Sequence, residues 1–234
     1  PGNELKSKIA LQECLTAGLL CNDSHMEQVD GQWKVVGDPT EGALIVVAQK
    51  AGLERQKLDR QMPRLDTIPF ESEFQYMATL HEGSTGSEEI SQSKIQNPKS
   101  KIIYVKGSLE AILLRCNQML DHRGEAIALN PKEVETQANV MAQQGLRVLA
   151  FAKKPTTSTQ SIEREDLDEG LIFLGLQGMI DPPRQEAIDA VRACQSAGIR
   201  VKMITGDHAL TASAIARRMQ LSSREEVLAY TGQE

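Results

Sequence analysis

Residues 205–207 combine the residue types that bind phosphate at the edge of a sheet. Thr205, Gly206 and Asp207 follow the apolar stretch 201–204. If that stretch is a strand, a hydroxyl, a bare backbone and a carboxylate lie at the carboxyl edge of the sheet, where open α/β sheets bind their ligands. A helix beginning there would also favour an anion. Taken alone, the same residues are more often a helix start in which Asp207 is the N-cap.

Lys106 and Gly107 follow a second apolar stretch, residues 102–105, in the same way. A lysine can meet a phosphate as a point charge, and a glycine allows a ligand to approach the backbone closely. The structural alternative is a solvated lysine at a strand end, with Ser108 capping the next helix. On these residues alone the structural alternative is favoured.

Phe70, Glu41 and Arg147 are three further candidates for contact with a nucleotide. An aromatic ring can stack on a purine, a carboxylate can accept a hydrogen bond from an exocyclic amine, and a guanidinium can meet a phosphate. Each also has a structural explanation: Phe70 as a core residue, Glu41 as the third helical residue after the cap Asp38, and Arg147 as a strand-start residue. Singly, each signal is weak.

Composition excludes several other functions. The chain has 234 residues, 40% of them hydrophobic, and a net charge of −6, which disfavours binding to nucleic acid. It contains neither GxxxxGK[ST], GxGxxG, GxSxG nor HExxH, and its four cysteines form no CxxC pair, so we expect reduced thiols and no metal site. The longest apolar run, residues 171–180, is too short to span a membrane. Since the chain begins with Pro1, we expect a soluble piece of a longer protein.

Strands and helices are mixed along the sequence. The Asp-Gly pair at residues 30–31 predicts a hairpin, and Asp38-Pro39 and Asn130-Pro131 each predict a helix start. Apolar periodicity predicts further helices over 5–20, after 183 and after 208. Short apolar runs predict strands over 77–81, 101–105, 147–152, 171–176 and 201–204. Polar composition predicts loops over 82–100 and 155–170. From residue 171 onward the order strand, helix, strand, helix predicts half of a parallel α/β sheet.

The order of six segments makes these weak signals specific. They are GDPTEGAL at 37–44, PFESE at 69–73, VKGSLE at 105–110, GLRVLA at 145–150, DPPR at 181–184 and MITGD at 203–207. Together they resemble the large cytoplasmic loop of P-type cation-transporting ATPases, most closely the calcium-pump-like branch. The resemblance covers essentially the whole chain. It implies a cytoplasmic domain of an integral membrane protein.

The resemblance also implies a fold and a site. Residues 1–180 would form a nucleotide-binding domain with a twisted antiparallel sheet flanked by helices, and residues 181–234 a fragment of the phosphorylation domain, of haloacid-dehalogenase-like parallel α/β fold. By the family's pattern Glu41 contacts adenine, Phe70 stacks on it, Lys106 with Gly107 lines the pocket, and Arg147 reaches the phosphates. Thr205, Gly206 and Asp207 match the loop near the terminal phosphate and Mg²⁺, and Asp181 and Arg184 match the hinge that approaches nucleotide in the closed state.

The departures from the family pattern limit what the chain can do alone. It contains no Asp-Lys-Thr-Gly, whose aspartate accepts the phosphoryl group in the family, so we expect ATP binding without hydrolysis. Gln75 stands where the family often has a lysine, and Ser108 where it has an alanine, so we expect weak binding. In the parent pump the partners would be the phosphorylation, actuator and transmembrane domains. The alternatives are a dehalogenase-fold phosphatase and a non-catalytic interaction domain.

Overall fold

The computed structural model describes residues 9–83, 100–157, 160–180, 182–206, 209–222 and 230. It divides into two compact units, residues 1–131 with 149–177 and residues 132–148 with 178–234. The elements of the first are α1 (Ile9–Leu20), β1 (His25–Val29), β2 (Gln32–Val36), α2 (Pro39–Lys50), α3 (Arg55–Gln61), β3 (Arg64–Glu71), β4 (Tyr76–Glu82), β5 (Lys101–Gly107), α4 (Leu109–Leu113), β6 (Cys116–Leu120), β7 (Ala126–Ala128), nearly all of β8 (Arg147–Thr156), a 3-10 turn (Arg164–Leu167) and most of β9 (Leu171–Met179).

A seven-stranded sheet forms the centre of the first unit, with strand order β3-β4-β5-β8-β9-β6-β7. The pairs β3–β4, β4–β5, β5–β8 and β6–β7 are antiparallel, and β6–β9 is parallel. Strand β4 is buried from Tyr76 to His81, which shows that both faces of the sheet are covered there. The predicted mixed α/β fold with a mostly antiparallel sheet is therefore confirmed.

Local sequence signals determine the elements beside this sheet. Asp30 and Gly31 both have positive φ, 52° and 77°, which is the conformation that a two-residue hairpin turn requires between β1 and β2. The Asp38 carboxylate accepts hydrogen bonds from the backbone N–H groups of Thr40 and Glu41 at 2.7 and 3.2 Å, and Pro39 begins α2. Both features match the cap predicted from the sequence.

The second unit contains the helices α5 (Pro131–Gln143, from its second residue), α6 (Gln185–Ser196) and α7 (Ala209–Arg218). The Thr211 hydroxyl donates a hydrogen bond to the Leu146 carbonyl, and the Arg218 guanidinium donates one to the Gln144 carbonyl. These two bonds attach α7 to the segment that follows α5. The predicted division of the chain at residue 180 stays a prediction.

The strand predicted over residues 201–204 is wrong. These residues form no strand in the described part of the chain, and Ile204 is 98% exposed. An apolar run becomes a strand only when another strand satisfies its backbone groups, and the periodicity of a sequence does not show whether that partner is at hand. Of the predicted order strand, helix, strand, helix, the described residues contain the first strand, as β9, and both helices. Most of the predicted loop at 82–100 lies outside the described residues.

Candidate functional site

A buried ion pair joins strand β5 to helix α2. The Lys106 ammonium donates a hydrogen bond to Oε1 of Glu41, and the side chains of both residues are largely buried. A buried lysine is rare and depends on a partner, because removing an ammonium group from water is costly unless an opposite charge compensates it. The structure thus brings together two residues that the sequence predicted for one site.

The Glu41 carboxylate already accepts three further hydrogen bonds. Its Oε2 atom accepts hydrogen bonds from the backbone N–H of Asp23 at 3.1 Å, from the backbone N–H of Ser24 at 2.9 Å and from the Ser24 hydroxyl at 2.8 Å. Its position in the first turn of α2 adds the favourable field of a helix N-terminus. A ligand amine can therefore bind this carboxylate only by adding to, or replacing, a donor already present.

Two arginines that the sequence analysis missed hold the segment carrying these donors. Arg55 donates to the Leu19 carbonyl at 2.8 Å, and Arg64 donates to the carbonyls of Leu20 and Asn22 at 2.8 and 2.6 Å. They satisfy carbonyls at and just beyond the C-terminus of α1, which have no partner within that helix. No local motif marks this function, because the two arginines are separated from these carbonyls by at least 33 residues.

The sheet fixes the direction of Lys106. In the antiparallel ladders Lys106 pairs with Met77 of β4 and with Phe151 of β8, so the three side chains share one face. Phe151 and Met77 are fully buried, and Lys106 is 6% exposed. Helix α2 covers this face through the contact of Lys106 with Glu41, and α1 covers it at Gly18, where a Cβ atom would lie 3.5 Å from the Phe151 ring.

A β-bulge places Phe70 on the same face. Between the pairs Ile68–Ala78 and Glu71–Tyr76, two residues of β3, Pro69 and Phe70, oppose the single residue Met77. The extra residue shifts the alternation, so Phe70 lies on the side of Met77 and Lys106. Phe70 is 57% exposed, on an edge strand. An exposed aromatic ring on the same sheet face as a buried ion pair is a suitable platform for a flat ligand.

Gly107 allows the turn between β3 and β4 to lie directly against the end of β5. A Cβ atom at this position would be 2.5 Å from the Gln75 carbonyl oxygen and 2.8 Å from the Tyr76 Cβ. The backbone N–H of Ser108 donates to the same Gln75 carbonyl at 2.9 Å. The Ser108 hydroxyl donates to Oε1 of Gln75 at 3.1 Å and accepts from the backbone N–H of Ala111, capping α4.

Arg164 is a further contact of this turn that the sequence analysis missed. Its guanidinium forms a 2.5 Å ion pair with Glu71 and lies 3.7 Å from the centre of the Phe74 ring. Glu71 pairs with Tyr76, so it lies on the sheet face opposite Phe70. The turn at residues 71–75 is consequently attached both to the end of β5 and to the 3-10 turn.

The remaining predicted site residues do not belong to this group. Arg147 at the start of β8, Arg184 at the N-cap of α6, Thr205 and Gly206 are all exposed residues of the second unit. Asp181 and Asp207 lie outside the described residues. The first unit therefore assembles Glu41, Phe70, Lys106 and Gly107, whereas the phosphate-end residues remain predictions.

Comparison with known proteins identifies the family of this chain. Residues 10–186 match the family model described as "P-type ATPase, cytoplasmic domain N". The chain is 52% identical over 225 residues to the cation-transporting ATPase pma1 of Synechocystis, an alignment that covers 96% of this chain and 23% of that protein. It is 39% identical to the probable cation-transporting ATPase F of Mycobacterium bovis, covering 95% and 23%, and 34% identical to a calcium-transporting ATPase of Bacillus subtilis, covering 90% and 22%.

The chain belongs to the P-type ATPase family and carries its cytoplasmic N domain. It spans less than a quarter of the length of these relatives. Within the ranges that the structure describes, no helix has the length and apolar character needed to cross a membrane.

Proposed function

We propose that this chain binds ATP between Phe70 and the Glu41–Lys106 ion pair, as the nucleotide-binding part of a cation-transporting pump. The observation that carries the proposal is the position of a buried, oppositely charged pair on the same sheet face as an exposed aromatic ring. Adenine offers a flat face and an edge bearing both a donor and acceptors. The three side chains offer a stacking surface, an acceptor and a donor.

Each residue has a distinct part in this proposal. Phe70 stacks on the purine, Glu41 accepts a hydrogen bond from the exocyclic amine, and Lys106 donates to an acceptor atom of the nucleotide. Gly107 pairs with Tyr76 and so faces the opposite side of the sheet; its part is to let the turn that follows Phe70 lie against the end of the strand that carries Lys106. Since Glu41 and Lys106 satisfy one another in the structure, nucleotide binding exchanges part of their interaction for contacts with ligand, which favours weak affinity.

In the parent protein we assign this domain to ATP delivery. The whole pump would transfer the terminal phosphoryl group to an aspartate outside this chain and use the energy to move a cation, calcium being the first candidate, across its membrane. Arg147, Asp181, Arg184, Thr205, Gly206 and Asp207 would approach the phosphates in the closed pump. Mg²⁺ would enter with ATP, and we assign no residue of this chain to it. Bound ATP is expected to stay intact on this chain alone.

An NMR titration of the ¹⁵N-labelled chain with ATP, with and without Mg²⁺, tests the proposal. We expect saturable shifts of the amide signals of residues 41, 70 and 106, and no release of phosphate. Phe70→Ala should weaken binding by about tenfold, the effect of one lost base-stacking contact. Ile127→Ala is the matched control, because Ile127 is an exposed apolar residue on β7, at the other edge of the same sheet.

Two results would count against the proposal. Absence of any shift at several millimolar ATP would leave the interaction-domain alternative, in which the fold has lost its ligand. Release of phosphate by the purified chain, unaffected by Phe70→Ala, would instead favour a phosphatase.

A further inference from the structure

We propose that the side chains of Gln75 and Ser108 form a clamp that positions Phe70 relative to Lys106. Gln75 ends the turn that follows Phe70, and Ser108 follows Lys106 and Gly107 on β5. Their side chains are bonded to each other, since the Ser108 hydroxyl donates to Oε1 of Gln75 at 3.1 Å. The proposal rests on the proposed nucleotide site and adds two positioning residues to it.

Three contacts connect the two segments over residues 75 and 107–108. The Ser108 backbone N–H donates to the Gln75 carbonyl, and the Ser108 hydroxyl donates to the Gln75 side-chain oxygen. Gly107 provides the close approach, since any Cβ there would collide with the same carbonyl. The backbone contacts are available to many sequences, whereas the side-chain bond requires a hydroxyl at position 108 and an amide or acid of sufficient length at position 75.

The conformation of Gln75 depends on these contacts. Its φ is +58°, in the left-handed region that residues other than glycine, asparagine and aspartate rarely adopt. The surrounding contacts must therefore offset the cost of this conformation. The Gln75 N–H donates to the Glu71 carbonyl at 2.8 Å, which closes the turn back to the strand that carries Phe70.

The turn is held from its other side by Arg164, through Glu71 and Phe74. If the bond between Ser108 and Gln75 is lost, the side-chain contacts described for this turn are those of Arg164. Arg164 contacts the turn through Glu71, on the sheet face opposite Phe70. We therefore expect loss of the clamp to let the turn shift toward Arg164, so that Phe70 is displaced from Lys106.

The experiment compares two variants that break the same bond in different ways. Gln75→Asn keeps a residue that tolerates positive φ and shortens the side chain so that it no longer reaches Ser108. Ser108→Gly removes the hydroxyl, and glycine is an acceptable helix cap. Ser108→Thr retains a hydroxyl and serves as the rescue variant. ATP affinity is measured by NMR titration, and the Phe70 ring signals are recorded before any ATP is added.

We expect each breaking variant to weaken ATP binding by about three- to tenfold, the range for one hydrogen bond. The double variant should be no weaker than either single one, and Ser108→Thr should bind as the unmodified chain does. The Phe70 ring signals of the ligand-free protein should shift in both breaking variants and not in Ser108→Thr. Ring signals that stay in place, or losses of affinity that add in the double variant, would overturn the clamp.

The ligand-free spectra separate this inference from the proposed function. If the unmodified chain does not bind ATP, the proposed nucleotide site fails. A common shift of the Phe70 ring signals in Gln75→Asn and Ser108→Gly would then still support the clamp as a positioning device, and unmoved signals would exclude it.

Discussion

Lys106 and Glu41 connect the middle of the sheet to the first turn of α2 across 65 residues of sequence. The pair is buried on the face covered by α1 and α2, and the Glu41 carboxylate receives three more hydrogen bonds from residues 23–24. The same two charges that we assign to nucleotide binding therefore also attach a helix to the sheet. Substitutions at this pair should affect both stability and affinity.

Lys106→Met is expected to lower the free energy of unfolding by about 3 kcal/mol, because it leaves the buried Glu41 carboxylate without its counter-charge. Glu41→Gln should have a similar effect by leaving the buried ammonium unpaired. The double variant should recover much of the loss, since no unpaired charge then remains. Urea denaturation of the four proteins measures this, and simple addition of the two losses would contradict a direct pairwise interaction.

The buried imidazole of His81 should make stability depend on pH in the acidic range. Burial lowers its pKa from 6.5 to about 4, and its ring lies between the Met62 carbonyl and the Thr79 hydroxyl. Because the unfolded chain takes up the proton more readily than the folded one, stability should fall as the pH drops from about 6.5 to about 4. The loss attributable to this group is roughly 3 kcal/mol.

His81→Gln is the matched variant for this measurement, since its amide does not titrate and replaces the ring Nε2 that meets the Thr79 hydroxyl. Urea denaturation at a series of pH values should show the unmodified chain losing stability relative to His81→Gln below about pH 6.5. Parallel curves for the two proteins would show that the carboxylates, and not His81, account for the acid sensitivity.

Local signals in the sequence predict local structure well, as the caps and turns of this chain show. Asp38-Pro39 and Asp30-Gly31 form the predicted helix start and hairpin turn. Contacts between distant segments cannot be predicted in this way. The sequence around Arg64 and Arg164 contains no motif that indicates their partners, because those partners are brought near only when the strands pair. The sheet face on which Phe70 lies likewise results from a bulge that alternation of residue types does not reveal.

The failed strand at residues 201–204 illustrates the same limit. Its apolar residues satisfy the compositional requirement for a strand, but the backbone needs a neighbouring strand, and the described residues supply none there. Resemblance to a family predicts Glu41 and Lys106 in one site. Periodicity alone left each of them with an ordinary structural explanation.

Gly107→Ala should destabilise the chain by about 1–3 kcal/mol, the usual cost of forcing a methyl group into a closely packed position. The new Cβ would lie 2.5 Å from the Gln75 carbonyl oxygen, which belongs to the backbone and cannot rotate away. Gly206→Ala is the control for the unfolding measurement, since nothing lies within 4 Å of a Cβ there. Equal midpoints in urea for both variants would contradict the close approach.

Arg64→Lys should loosen the segment that supplies donors to Glu41. A lysine cannot reproduce the two bonds that Nη2 of Arg64 makes to the carbonyls of Leu20 and Asn22, so we expect a loss of about 1–2 kcal/mol in the free energy of unfolding. Because the backbone N–H groups of residues 23 and 24 bind Glu41, their hydrogen exchange should accelerate. Arg60→Lys on the exposed surface of α3 is the control. Unchanged exchange at residues 23 and 24 would show that Glu41 is held by α2 and Lys106 without help from the arginine.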